Sequence, residues 1–151
     1  MEQNYRFDFY LIWNHGLNFL DDIRNIIKEN KYLTIINEFE KDVENIPKFI
    51  DKLYALDHQN RLHIKGKTRY LLKQKTIVHV FILKNISKTP LESINKTKWE
   101  IREKYNPRFD DPKKQPNPVL APGITHHHVI HGSDTQEETE HMMKYWNMEL
   151  H

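Results

Sequence analysis

The stretch that decides the fold is "KTIVHVFILKN", residues 75–85, which is apolar at almost every position between its polar ends. Such a run of β-branched, aliphatic and aromatic residues is typical of a strand that is buried on both faces in the centre of a sheet. We therefore predict a central strand here and assign the other elements outward from it.

Two strands and two helices are predicted before this segment. "YRFDFYLIW", residues 5–13, is dense in aromatic and aliphatic residues and is therefore predicted to be a strand. The Asn-His-Gly sequence that follows is typical of a turn and is predicted to end this strand. Apolar residues then recur at helical spacing over residues 17–27. Residues 32–39 alternate weakly and predict a second strand, and the apolar stripe over residues 46–56 predicts a second helix.

The C-terminal half predicts a helix that begins near Pro90, then a long irregular segment, a short strand and a last helix. Five prolines fall between Pro107 and Pro122, which excludes regular helix and central strand. We expect the path from Asn106 to Pro122 to lie over or beside the candidate site described below. "THHHVIH" predicts the strand, and Ser133 or Asp134 is expected to cap the last helix.

This order of elements predicts two βαβ-like halves that form one four-stranded antiparallel sheet with helices on one face. That is the ferredoxin-like α+β arrangement. At 151 residues, the chain is predicted to form a single domain, residues 1–151.

Composition narrows the classes of function. Lys and Arg total 23 against 21 for Asp and Glu, so the formal charge of +2 indicates no nucleic-acid-binding stripe. The chain has no cysteine, which leaves histidines and carboxylates as strong metal ligands or nucleophiles. Because no signal peptide and no membrane-spanning run is visible, we expect a cytoplasmic protein with no membrane partner.

Histidines are concentrated in "GITHHHVIHGSDTQEETEHMM", residues 123–143, where four of the ten fall within six positions. The spacing of His126, His128 and His131 permits a metal site for Zn²⁺ or a similar ion, completed by His15 or a glutamate. Alternatively, a histidine at a strand end beside a helix N-terminus is placed to attack a phosphoryl group that backbone N–H groups hold.

The segment "VIHGSDTQEE", residues 129–138, resembles the active-site segment of nucleoside diphosphate kinases, in which Ile-His-Gly-Ser-Asp ends a strand and begins a helix. "YNP" at residues 105–107 and "APGI" at residues 121–124 resemble the pairs that bracket a long loop in that family. The resemblance implies that His131 is a nucleophile that carries a phosphoryl group. It further implies a nucleotide or phosphorylated small molecule as substrate, Mg²⁺ that accompanies the nucleotide, and a homo-oligomer.

The chain departs from the family at its phosphate-binding positions. Trp13 stands where the family has a lysine, Trp99 where it has an arginine, and Met142 where it has a supporting glutamate. We expect the two tryptophans to stack on a base or sugar, and His126 and His128 to become cations beside a phosphate. The predicted substrate-binding set is Tyr54, Trp13, Trp99, His126, His128 and Ser133.

Three hypotheses follow from the sequence. The first is a divergent phosphotransferase or phosphohydrolase that acts through His131. The second is a metal-dependent enzyme that uses the histidine cluster. The third is a catalytically inactive module that binds nucleotides or serves assembly.

Overall fold

The computed structural model describes residues 4–56, 75–106 and 128–150. Within these ranges the chain forms four strands, four α-helices and a 3-10 helix over Asn14–Phe19. The strands are β1 (Arg6–Ile12), β2 (Leu33–Asp42), β3 (Ile77–Asn85) and β4 (Ile130–Gly132). The helices are α1 (Leu20–Glu29), α2 (Ile46–Leu53), α3 (Pro90–Tyr105) and α4 (Gln136–Tyr145).

The strands form one sheet in the order β2-β3-β1-β4, and all neighbouring pairs are antiparallel. The predicted central position of residues 75–85 is confirmed, since β3 lies between β2 and β1. Among the described residues, the short strand β4 pairs with β1 alone, and this pairing places His131 opposite Leu11. The four-stranded antiparallel α+β fold is therefore confirmed.

Helices cover both faces of the sheet, so the expectation of helices on one face is wrong. Side chains of α2 and α4 pack with Phe9 and Leu11 of β1 in one core cluster. Side chains of α1 and α3 pack with Tyr10 and Ile12 in a second cluster. The physical reason lies in β1, whose consecutive side chains point to opposite faces of the sheet. Because the side chains on both faces are apolar, helices must pack on each face to shield them from water.

The ends of several elements differ from the prediction. The chain after Trp13 first forms the 3-10 helix, and α1 begins only at Leu20. Thr135, and not Ser133 or Asp134, caps α4, because its side chain accepts a hydrogen bond from the Glu138 N–H at 3.2 Å. The predicted irregular path over residues 107–122 lies outside the described residues.

None of the helices in the described ranges is long and apolar enough to cross a lipid bilayer.

Candidate functional site

His131 lies in the middle of the edge strand β4, with 8% of its surface exposed. Its ring faces the α2 side of the sheet. The ring of Phe9 from β1 lies 5.8 Å away, centroid to centroid, at an interplanar angle of 36°. The ring of Tyr54, just after α2, lies 5.1 Å away at 80°. Two aromatic side chains therefore fix the imidazole.

The chain leading into β4 is held by backbone and amide hydrogen bonds. The Trp13 N–H donates to the Val129 carbonyl at 3.0 Å, and the Val129 N–H donates to Oδ1 of Asn106 at 2.8 Å. Gly16 lies so close to Val129 that a Cβ there would overlap the valine side chain. These contacts join the end of β1 and the end of α3 to the residues that precede His131.

Asn106 also contacts His128, one of the predicted substrate-binding residues. Nδ2 of Asn106 lies 3.2 Å from Nδ1 of His128. Because the Asn106 oxygen already accepts from Val129, its Nδ2 must donate, and Nδ1 of His128 accepts and carries no proton in this arrangement. A doubly protonated His128, as predicted from the sequence, would have to break this contact.

The turn after His131 is anchored by a buried carboxylate. Ser133 is fully buried, donates from Oγ to Oδ1 of Asp8 at 2.7 Å, and accepts from the Phe9 N–H at 3.0 Å. The other Asp8 oxygen accepts from Asn85 at 3.0 Å and pairs with Arg6 at 2.9 Å. The Ser133 hydroxyl thus already makes two hydrogen bonds within the protein. Its predicted contact with substrate stays a prediction.

Several backbone N–H groups after His131 already donate hydrogen bonds within the protein. The Ser133 N–H donates to the Phe9 carbonyl at 3.1 Å, and the Asp134 N–H donates to Oε2 of Glu138 at 2.9 Å. The Glu138 N–H is used by the Thr135 cap. A phosphate beside His131 therefore needs donors other than these three N–H groups.

The predicted site residues are only partly brought together. Tyr54 contacts His131 directly. Trp13 is 1% exposed and packs edge-on against Phe49, with Nε1 lacking a hydrogen-bond acceptor among the described residues. Trp99 is 54% exposed on α3. His126, like His127, lies outside the described residues.

The metal-site alternative involves His126, which lies outside the described residues, as well as His128 and His131, which lie within them. No three metal-ligating side chains cluster within residues 4–56, 75–106 and 128–150. Since His126 lies outside those ranges, a site formed by His126, His128 and His131 stays a prediction.

Two cations beside β4 were not predicted. Nε and Nη2 of Arg102 donate to the Ile130 carbonyl at 3.2 and 3.0 Å, and Lys98 lies against Gly132, its Cδ 3.3 Å from where a Cβ would stand. The four-residue interval of Lys98 and Arg102, which places both on one face of a helix, was the signal in the sequence.

The fold is that of nucleoside diphosphate kinases. The chain is similar to the Aquifex aeolicus enzyme with a TM-score of 0.61 and 11% identity, over 94% of each chain. It is similar to the Borrelia burgdorferi enzyme, solved as a transition-state mimic with vanadate and ADP, with a TM-score of 0.58 and 16% identity. That alignment covers 99% of this chain and 93% of the other.

No family model matches the sequence, and no curated protein does. At such low identities the structural likeness shows the fold and leaves the activity open. The resemblance inferred from residues 129–138 is thereby confirmed at the level of the fold.

Proposed function

We propose that this chain is a divergent phosphotransferase or phosphohydrolase that acts on a nucleotide or another phosphorylated metabolite through His131. The observation that carries the proposal is the placement of His131 on β4, fixed between Phe9 and Tyr54, in a fold shared with nucleoside diphosphate kinases. We further propose that the protein is cytoplasmic and self-associates.

The burial of the imidazole supports a role for one particular nitrogen. Nε2 of His131 is shielded from solvent. We therefore assign the attack to Nδ1. Fixing the ring between two aromatic side chains reduces the entropy that would be lost when the nitrogen and the phosphorus align.

The proposed reaction proceeds in two steps. The lone pair of Nδ1 forms a bond to the terminal phosphorus while the bond from phosphorus to the bridging oxygen breaks, and its electron pair leaves with the diphosphate. In the second step an oxygen of an acceptor nucleotide, or of water, attacks the phosphorus, and an attacking water passes one proton to the released phosphate or to the solvent. The phosphorus–nitrogen bond breaks and returns its electron pair to Nδ1.

Mg²⁺ is part of the proposed substrate, because it is bound mainly by the phosphates of a nucleotide and by water, and needs few protein ligands. This assignment requires no three-ligand cluster from the protein. Chelation should therefore affect turnover of a nucleotide without affecting the stability of the protein.

A turnover assay tests the proposal. Purified protein is supplied with Mg²⁺ and each common nucleoside triphosphate, with and without an acceptor diphosphate. We expect turnover in the wild type, none in His131→Ala, and unchanged turnover in His141→Ala, whose histidine lies on α4 and bonds the Lys52 carbonyl. Full turnover in His131→Ala contradicts the proposal. A stoichiometric transition metal on the purified protein would favour the metal-dependent alternative.

A further inference from the structure

A cleft opens between the end of α1 and α3, on the sheet face opposite the one that the His131 ring faces. This α1–α3 cleft is lined by side chains from residues 26–32, 87–89 and 92–100. Its volume is about 460 Å³, a size usual for sites that hold small molecules. Asn85, just before the cleft, pairs with Arg6 at the start of β1, whereas His131 pairs with Leu11 near the end of that strand. The cleft is therefore separate from the candidate functional site.

Small polar side chains form much of the floor of the α1–α3 cleft. Asn30 ends α1, and Ser93 and Thr97 lie one turn apart on α3, where they are 6% and 2% exposed. Contacts between helices are usually filled by large apolar side chains that interdigitate. Because these three side chains are small, the cleft stays open between the two helices. Because they are polar, its floor presents hydrogen-bonding groups.

The floor has more acceptors than Asn30 can supply with hydrogens. The Asn30 Oδ1 accepts from the Tyr32 N–H at 3.0 Å, which fixes the orientation of the amide. Three oxygens lie within reach of Nδ2, namely Thr97 Oγ1 at 2.9 Å, Ser93 Oγ at 3.2 Å and the Ser93 carbonyl at 3.3 Å. An amide nitrogen carries only two hydrogens. Ser93 therefore presents a buried acceptor that an N–H donor of a bound molecule would complete.

Charged side chains of both signs surround this floor. Three carboxylates line the cleft, and within the described ranges none of them forms an ion pair: Glu29, Glu92 and Glu100. Lys31 and Lys96 also line the cleft, are exposed, and form no ion pair with another described residue. The rim thus offers both carboxylate and ammonium groups to a ligand.

A zwitterion matches this rim better than an ion of one sign. An anion would be repelled by three carboxylates, and a cation would be repelled by two ammonium groups. A molecule that carries an ammonium and a carboxylate can pair with both signs at once. Its ammonium also brings N–H donors to the acceptor of Ser93.

We propose that the α1–α3 cleft is a binding site for an amino-acid-like zwitterion. The ligand ammonium lies between the rim carboxylates and the hydroxyl of Ser93, and the ligand carboxylate pairs with Lys96. This site goes beyond the proposed function, because it lies on the other face of the sheet and does not require His131.

The competing explanation is an ordinary solvated groove whose charges interact only with water and salt. The probes that separate the two explanations are the twenty common L-amino acids, each added singly to the whole protein. Thermal shift detects binding, and calorimetry measures it. Acetate and ethylammonium, which carry one sign each, are the reference ligands. We expect at least one amino acid to raise the Tm and to bind about ten-fold more tightly than either reference.

Substitutions in the cleft locate the bound molecule. Lys96→Gln and Glu92→Gln each remove a rim charge, and Ser93→Ala removes the acceptor in the floor, so each should weaken binding about three- to ten-fold. Lys104→Gln is the control for Lys96, since it removes a charge from an exposed position of the same helix. Glu137→Gln is the control for Glu92, since both glutamates lie in the first turn of a helix. Both controls should stay within about two-fold of the wild type, and thermal melts without ligand show which variants fold.

Three results would overturn the inference. They are no binding of any of the twenty amino acids, equal binding of acetate or ethylammonium, and rim variants that weaken binding no more than the two controls. His131→Ala should bind the amino acid as the wild type does. Binding that disappears in His131→Ala would place the ligand at the other site and would also overturn the inference.

Discussion

The ring of Tyr54 meets the ring of His131 edge-on, with 5.1 Å between their centroids. The two residues are far apart in sequence and lie at the end of α2 and on the edge strand β4. A strand of three residues makes few contacts with its own side chains. The ring of Tyr54 adds a packing contact on one side of the His131 imidazole. The contact therefore links the stability of α2 to the orientation of the imidazole.

Removing the Tyr54 ring should loosen His131 and destabilise the protein. Tyr54 is 6% exposed, so Tyr54→Ala should lower the free energy of unfolding by about 3 kcal/mol, as for other buried aromatic truncations. Tyr145, on α4 and 41% exposed, is the control, and Tyr145→Ala should cost clearly less. Urea denaturation measures both, and equal losses would argue against a supporting role for Tyr54.

The hydrogen bonds that join Ser133 to Asp8 and Phe9 anchor the turn after His131. Removing the hydroxyl of Ser133 and, for comparison, that of Thr135 tests this anchor. Ser133→Ala leaves Oδ1 of Asp8 and the Phe9 N–H each without the hydrogen-bond partner that Ser133 supplies, so we expect a loss of about 2–3 kcal/mol. Thr135→Ala removes only a helix cap and should cost about 1 kcal/mol. If Thr135→Ala proves the more destabilising in urea denaturation, the anchor is assigned wrongly.

Gly16 is required by the close approach of the 3-10 helix to Val129, the residue that precedes β4. A Cβ at this position would overlap Val129 and lie 2.9 Å from Cγ2 of Ile12. We expect Gly16→Ala to destabilise the protein by about 1–3 kcal/mol through overpacking.

A double-mutant cycle with Val129→Ala checks the cause. Removing the valine methyls should make Gly16→Ala less costly in the Val129→Ala background than in the wild type. Strictly additive losses would mean that the contact between Gly16 and Val129 is not the source of the effect.

Stability in acid should depend on Glu38. Hydrogen bonds from Arg24 hold the pKa of Glu38 below its ordinary value of 4.5, helped by His79 and opposed by burial. A lowered carboxyl pKa stabilises the folded state at pH values above 4.5, and this contribution is lost as the pH falls through the folded-state pKa. The stability difference between wild type and Glu38→Gln should therefore shrink between neutral pH and about pH 3. Urea midpoints that keep a constant difference would contradict this.

The sequence predicted the position of β3 in the sheet correctly, but not which faces of the sheet the helices cover. Residues 75–85 are apolar on both faces, and this correctly places β3 inside the sheet. The same two-sided pattern in β1 implies helices on both faces, but the ferredoxin-like template led to the prediction of one covered face. The cap of α4 was misplaced because Ser133, Asp134 and Thr135 are all good caps, and tertiary contacts with Asp8 decide between them.

Among the residues that lie on β4 or against it, the sequence singled out His131 and Tyr54 as candidates but not Lys98 and Arg102. Local pattern could place Lys98 and Arg102 on one face of α3, yet it could not show that this face meets β4. Trp99 was predicted to bind substrate because of its position in the resemblance, and in the structure its ring is half-exposed and lies against the Arg102 guanidinium. Contacts between distant elements are set by packing, which local spacing does not encode.

The most direct test of the central claim is to locate the phosphoryl group itself. The protein is incubated with Mg²⁺ and a γ-labelled nucleoside triphosphate, digested at alkaline pH, where phosphohistidine survives, and mapped by mass spectrometry. The account predicts an acid-labile label on the peptide that contains His131, lost in His131→Ala and discharged on addition of an acceptor diphosphate or on standing in water. A label on another residue, or turnover that proceeds with no labelled histidine, would contradict it.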